Sequence, residues 1–264
     1  MGPPNPTGLA ASAWSVDDDA RPVTTAPPHD TATTPTGARL TAVAWFLLPL
    51  ALCPFVALLR PGSERTAMAR AEWLFAWQRS VGIAVEPAIH QWFRGRPVAL
   101  AALTMFYFAA HLGALIATAC WLAARHPAGF VSFRRSFAVA QVLTVVAYLA
   151  VPVAPLRMVL DDGSGAGGRE WARSIQYEFA AVPSGHFVFA LVIAGAVWRC
   201  APARWRWIAV AHPACTAVVV VGTAHHSLVD VAAGALIVLG ARGVMVAVAR
   251  IDGVTPAVDG HVRR

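Results

Sequence analysis

The sequence predicts an all-α fold: a polytopic membrane helix bundle of about six transmembrane helices plus an interfacial amphipathic helix. Three observations predict it. The 264 residues are 57% hydrophobic and 13% charged, with mean hydropathy +0.56, whereas soluble domains are about 45–50% apolar and about 25% charged. Apolar runs recur near the ~20 residues that a bilayer crossing requires. Arginines cluster at the ends of those runs, as membrane topology demands. The formal charge of +7 is carried by arginine without any lysine, and this end-of-run placement accounts for the pI of about 10.2 without invoking nucleic acid.

Taken in order, residues 1–37 form a tail rich in Pro, Thr, Ala and Asp, with Asp17, Asp18 and Asp19 together. It has too little apolar surface to offset ordering entropy and is read as disordered. It also lacks the basic-then-apolar order of a signal peptide. Residues 38–250 are read as one transmembrane domain and 251–264 as a short C-terminal tail.

The first span is expected over 40–59. The mixed stretch 61–96 sets Trp73, Leu74, Trp77, Val81, Ile83 and Val85 among Arg65, Arg70, Glu72, Arg79 and Glu86. Apolar residues at helical spacing on a charged segment predict a helix lying in the interface. The second and third spans are expected over 98–118 and 137–153. The fourth runs from Ser184 to Arg199, with the arginine snorkelling at its far end. The fifth and sixth are expected over 207–221 and 228–248. Trp121, Trp198, Trp205 and Trp207 fall near span ends, where indoles anchor at headgroups.

The short loops set orientation. Arg125, Arg134 and Arg135 lie between spans two and three, and Arg199, Arg204 and Arg206 between four and five. Arg250, Arg263 and Arg264 follow the last span. The positive-inside rule places these regions, and both termini, in the cytoplasm. The turns before Pro183 and at His225–His226 then share the extracytoplasmic face. The arginines of 61–96 fall on that face as well, against the rule. A bacterial cell membrane is the expected setting.

The four cysteines, Cys53, Cys120, Cys200 and Cys215, all lie in or beside apolar runs. Their spacing fits neither a metal site nor a disulfide framework, and they read as small buried hydrophobes.

Chemistry concentrates in Pro183-Ser184-Gly185-His186 and in His226 with Asp230. Ionisable side chains at the ends of membrane-length helices are costly to keep without a task. Ser184 is a good N-cap, and the helix it opens offers free N–H groups and partial positive charge to a phosphate. Gly185 permits close backbone approach to a ligand. His186 in the first turn is placed to protonate a leaving oxygen. His226 is placed to attack phosphorus. Asp230, four residues on, shares its helix face and is placed to orient the imidazole. Arg157 offers a fork to phosphate oxygens. This set requires no metal and no cofactor.

VPSGH and HHSLVD resemble the second and third signature motifs of the type 2 phosphatidic acid phosphatase superfamily. The resemblance is closest to the inositol phosphorylceramide synthase-like branch and covers about residues 40–248. It includes AEWLFAWQRSVGIAVEPAIHQWF, the FYFAAH run and YLAVPVAPLR. Pro155-Leu156-Arg157 is similar, with one change, to the first motif of that branch. The resemblance implies a nucleophile at His226 that forms a phosphohistidine, an acid at His186, an orienter at Asp230 and a phosphate ligand at Arg157. It also implies a phosphate-bearing membrane lipid as substrate. Against other members, Ala150 stands where a lysine is usual and Val219-Val220 where Ser-Arg is usual. Gly185 replaces the leucine common in the synthase-like branch. Water as acceptor would make the chain a lipid phosphatase, and an alcohol would make it a head-group transferase.

Plainer readings stand beside these. Pro-Ser-Gly-His alone can be an ordinary helix cap, and a helical His–Asp contact can be structural. His225 contacts phosphate or faces headgroups. Tyr107 and His111, four apart in the second span, line a cavity or pair with backbone. His212 reads as a packed histidine. Asp161, Asp162, Arg169, Glu170, Arg173 and Glu178 read as a solvated loop. Two histidines and an aspartate can bind zinc, but no dedicated base accompanies them. The alternative class is a lipid-binding or carrier protein that kept the bundle and lost turnover.

Overall fold

Helices account for nearly all of what the computed structural model describes, namely residues 46–52, 55–56, 58–59, 62–160 and 178–251. The tail expected at 1–37, the start of the first span and the C-terminal tail beyond Ile251 lie outside the described residues. So does most of the loop between the third and fourth spans, with Asp161, Asp162, Arg169, Glu170 and Arg173.

Helical residues at 46–52, 55–56 and 58–59 precede α1 (Glu64–Ser80). Ser63 caps α1 by accepting from Thr66 N at 3.2 Å, and Glu64 and Arg79 sit at the ends that suit their charges. Trp73 and Trp77 are exposed, as an interfacial helix requires. The stretch 61–96 is nevertheless two helices. Gly82, at φ +76, breaks the helical run where a residue with a side chain would be strained. After the break, α2 (Glu86–Arg94) turns into the bundle and packs on the helix Ile208–Gly222.

The second span is bent. Helix α3 (Pro97–Met105) passes through a π turn at Phe106–Ala110 into α4 (His111–Arg125), and the two halves meet at 43°. A single residue, His126, separates α4 from α5 (Pro127–Ala150). The loop expected over 119–136 is therefore helical. Arg134 and Arg135 belong to the first turns of α5, which begins ten residues before the expected 137.

Helix α6 (Leu156–Val159) is a single turn. Helix α7 (Gly185–Cys200) follows, then a 3-10 turn at Ala203–Trp205, α8 (Ile208–Gly222) and α9 (Leu228–Ile251). Among the described residues, α5, the Ala203–Gly222 stretch and α9 are each long and apolar enough to cross a membrane, and the bent pair is a fourth if counted as one span.

The 16 residues of α7 reach about 24 Å, short for a crossing. Its position explains the shortfall: α4, α5, α8 and α9 all pack against it, so most of its surface meets protein rather than lipid. Val188, Val192 and Ile193 of α7 bury against Leu115 and Leu122 of α4 and Phe133 and Phe137 of α5. Trp198, Trp205 and Trp207 stay exposed at the far end of the bundle, where headgroups accept indole. Cys120, Cys200 and Cys215 are free thiols.

Candidate active site

Three chain turns meet at the end of the bundle opposite those tryptophans: the segment after α5, the approach to α7, and the turn between α8 and α9. Backbone hydrogen bonds join them. Val153 N donates to Phe179 O at 2.8 Å and Ala181 N to Val153 O at 3.2 Å, around an isolated parallel bridge between Val153 and Ala180. Ser184 N donates to Asp230 O at 2.9 Å, and Arg157 N to Ala224 O at 2.8 Å. Arg157, Ser184, His186, His226 and Asp230 are thereby brought to one place from segments far apart in sequence.

The first α7 turn is built as its sequence suggests. Ser184 is fully buried, and its hydroxyl accepts from Phe187 N at 3.4 Å. Gly185 also has a packing reason. A Cβ at 185 would stand 2.8 Å from the Tyr148 hydroxyl, which itself donates to Pro183 O at 2.9 Å. The glycine accommodates a tyrosine of α5.

His226 is buried, and its ring is fixed. Its Nδ1 lies 2.8 Å from the carbonyl oxygen of Ala181. A carbonyl only accepts, so Nδ1 carries the proton and Nε2 keeps its lone pair. Asp230 Oδ2 stands 3.6 Å from the same Nδ1, an electrostatic contact and not a hydrogen bond. Its oxygens are taken by Ser227: Oδ2 accepts from Ser227 N at 2.7 Å and Oδ1 from the Ser227 hydroxyl at 2.9 Å. Asp230 N returns a longer bond to Ser227 Oγ at 3.3 Å. Ser227-Leu228-Val229-Asp230 is thus a capping box that starts α9. The orienter expected in Asp230 is replaced at the ring nitrogen by a backbone carbonyl, with the carboxylate as a nearby negative charge.

His186 faces His226 with ring centroids 6.1 Å apart. Its Nε2 lies 3.2 Å from Tyr107 O, in the π turn, where the widened backbone departs from the ordinary i→i−4 ladder. Rings then stack in a file. Tyr107 lies 3.9 Å from His186 on one side and 4.2 Å from His225 on the other. Beyond His186 come His111 at 4.5 Å and Phe189, 5.2 Å from His111. His225 therefore packs on Tyr107, and Tyr107 and His111 join the site from the bent span. Both ring nitrogens of His111 are buried without a hydrogen-bond partner among the described residues.

Arg157 sits on the single turn α6, largely buried, with Nη2 3.9 Å from Glu178 Oε1. Ala150 is exposed, whereas Val219 and Val220 are buried in the bundle. Neither offers a cation to the site.

Sequence reasoning assigned Glu86 to a charged interface and did not single out His90. Both are buried and bonded to the turn that carries His226. Their i,i+4 spacing was the available signal. The Ala181 carbonyl left no signal, since any residue supplies one. Among the described residues no group of three or more His, Cys, Asp and Glu could hold a metal ion.

With this geometry in place, comparison with known proteins returns one match. A family model described as PAP2 superfamily matches residues 72–244. No curated protein matches, and no solved structure matches.

Proposed function

The chain belongs to the PAP2 superfamily, and from that premise we propose an integral membrane enzyme that transfers a phosphoryl group from a lipid phosphate or phosphodiester through a phosphohistidine at His226. Members of the superfamily are phosphatases or phosphotransferases. One observation carries the finer reading. His226 has its Nδ1 proton committed to Ala181 O, which leaves Nε2 as the nucleophile, and His186 stands across a gap that one phosphoryl group with its leaving oxygen can bridge.

In the first step Nε2 of His226 bonds to phosphorus as the bond to the leaving oxygen breaks. His186, protonated on both nitrogens with its Nε2–H held by Tyr107 O, gives its Nδ1 proton to that oxygen. The phosphorylated ring of His226 is cationic while Nδ1 keeps its proton, and Asp230 at 3.6 Å offsets that charge. Arg157 holds non-bridging oxygens. In the second step His186, now neutral, takes a proton from the acceptor as the acceptor oxygen displaces His226. Water as acceptor gives hydrolysis. An alcohol gives head-group transfer, the activity implied by the inositol phosphorylceramide synthase-like branch. The cluster of arginines at the opposite end of the bundle supports an extracytoplasmic site with cytoplasmic termini.

A second reading rests on Ala150, Val219 and Val220, which supply no cation where relatives are expected to: a bundle that binds phosphate-bearing lipid without turnover. The deciding experiment uses the purified full chain in detergent with a panel of lipid phosphates, with and without alcohol acceptors. Turnover and an acid-labile phosphoenzyme located at His226, both abolished in His226→Ala, are expected. Lipid binding with neither phosphoenzyme nor turnover would support the second reading.

A further inference from the structure

We infer that Glu86 and His90 of α2 form a bracket that holds the α8–α9 turn from both sides and thereby positions His226, an assignment that rests on the proposed role of His226.

The turn connecting α8 to α9 is short, and it is strained at Ala224, a non-glycine residue at φ +51. Such a conformation persists only where the surroundings over-determine it. Helix α2 supplies part of that determination from well over a hundred residues away. At the start of the turn, the His90 Nδ1–H donates to Gly222 O, the last residue of α8, at 2.8 Å. At its end, Glu86 Oε1 accepts from Leu228 N, the first residue of α9, at 2.8 Å.

Gly222 O and Leu228 N are a helix-end carbonyl and a helix-start amide, backbone groups that a helix leaves without an internal partner. A carboxylate is also the side chain favoured at a helix N-terminus. Phe93 completes the face: a Cβ at Gly222 would stand 2.8 Å from its ring, so the bare backbone there lets α2 approach closely. Glu86, His90 and Phe93 are spaced i, i+4, i+7 and lie on one side of α2.

Glu86 is 0% exposed, and its Oε2 has no hydrogen-bond partner among the described residues. A buried, half-satisfied carboxylate is unfavourable for stability alone. Glu86 at Leu228 N and Asp230 at Ser227 N grip consecutive amides immediately after His226. Both are positioning residues, because neither accepts a hydrogen bond from the imidazole.

The test compares Glu86→Ala, Glu86→Gln and His90→Ala in the full chain, by steady-state kinetics and by amide hydrogen exchange of peptides covering 222–230. A slackened nucleophile loses roughly tenfold to hundredfold in rate. Glu86→Ala is therefore expected to lower kcat by that factor with KM little changed, and to speed exchange at 222–230. Glu86→Gln, whose amide oxygen still accepts from Leu228 N, is expected to retain most of kcat and the slow exchange. His90→Ala is expected to act like Glu86→Ala at the α8 end. Wild-type kcat and exchange in Glu86→Ala would overturn the bracket, and so would Glu86→Gln being as impaired as Glu86→Ala. Should Glu86→Ala not fold, the glutamine and His90 variants decide by the same criteria. If the wild type turns over no lipid phosphate, the functional proposal fails alone, because the exchange comparison still decides whether the bracket holds the turn.

Discussion

His226 and Asp230 stand 3.6 Å apart at their nearest ring nitrogen and carboxylate oxygen, too far for a hydrogen bond and close enough for their charges to act on each other. The separation follows from the capping box, which draws both carboxylate oxygens to Ser227. Asp230 therefore has two separable duties, the start of α9 and the charge beside His226. Asp230→Asn keeps one acceptor oxygen for Ser227 N, places an amide donor where the Ser227 hydroxyl can accept, and removes the charge. It is expected to leave thermal stability near wild type while kcat falls roughly tenfold to hundredfold, the worth of a charged contact of about 1.5–3 kcal/mol. Asp230→Ala loses the cap as well and is expected to cost a further ~1 kcal/mol of stability. Thermal melts beside kinetics separate the two effects, and equal kcat in Asp230→Asn and wild type would remove the electrostatic role.

Gly185 and Tyr148 form a size pair. A methyl group at 185 meets the tyrosine hydroxyl at 2.8 Å, so Gly185→Ala is expected to lose about 1–3 kcal/mol by overpacking. Tyr148→Phe removes the obstructing oxygen along with its bond to Pro183 O. The double variant is expected to be more stable than the sum of the single losses, with a coupling of about 0.5–3 kcal/mol. Additive losses in a melting series would show that the clash is relieved elsewhere.

What was legible in the sequence divides along a physical line. Ser184 as N-cap, His186 and His226 at one end of the bundle, and the α7, α8 and α9 boundaries came from patterns local in sequence: caps, apolar runs and i,i+4 spacing. The loop expected at 119–136 failed because Arg125, Arg134 and Arg135 look like loop charges, whereas α4 runs on to end at Arg125 and α5 starts ten residues before the expected span and carries Arg134 and Arg135 within it. The single interfacial helix at 61–96 failed for a related reason. Glu86 and His90 look amphipathic, but their partners are backbone groups at 222 and 228, and backbone pairing across such a distance has no sequence signature. The Ala181 carbonyl on His226 is the extreme case, since an alanine carries no hint of it.

Arg157 carries the site's positive charge on a single turn of helix, with Glu178 3.9 Å from Nη2. Its loss should show in substrate capture. Arg157→Ala is expected to lower kcat/KM roughly tenfold to hundredfold, in line with about 1.5–3 kcal/mol for charge-assisted bonds to phosphate. Arg157→Lys keeps the charge without the fork and should fall between. Glu178→Gln removes a competitor for the guanidinium and is expected to lower KM by roughly twofold to threefold, as a partly exposed ion pair of under about 1 kcal/mol allows. A rise in KM for Glu178→Gln would instead identify Glu178 as a support for Arg157.

Orientation in the membrane is tested with single cysteines in a chain whose four native cysteines are replaced by alanine. Ser184 is a poor position for this, since it is fully buried. Ser63 is exposed at the start of α1, beside Gly62, whose added Cβ would meet Pro152 at 3.0 Å, and Pro152 follows α5 at the site end. Ala203 is exposed in the turn between α7 and α8, at the other end of both helices. The arginines beside it, Arg199, Arg204 and Arg206, place that end in the cytoplasm by the positive-inside rule. Ser63→Cys is therefore expected to react with an impermeant maleimide on intact cells, and Ala203→Cys only after permeabilisation. The reverse pattern would put His186 and His226 on the cytoplasmic side and restrict their substrates to lipids of the inner leaflet. Reaction at both positions in intact cells would mean either that the cells had leaked or that the bundle inserts in two orientations. A permeability control on a cytosolic thiol protein separates those cases.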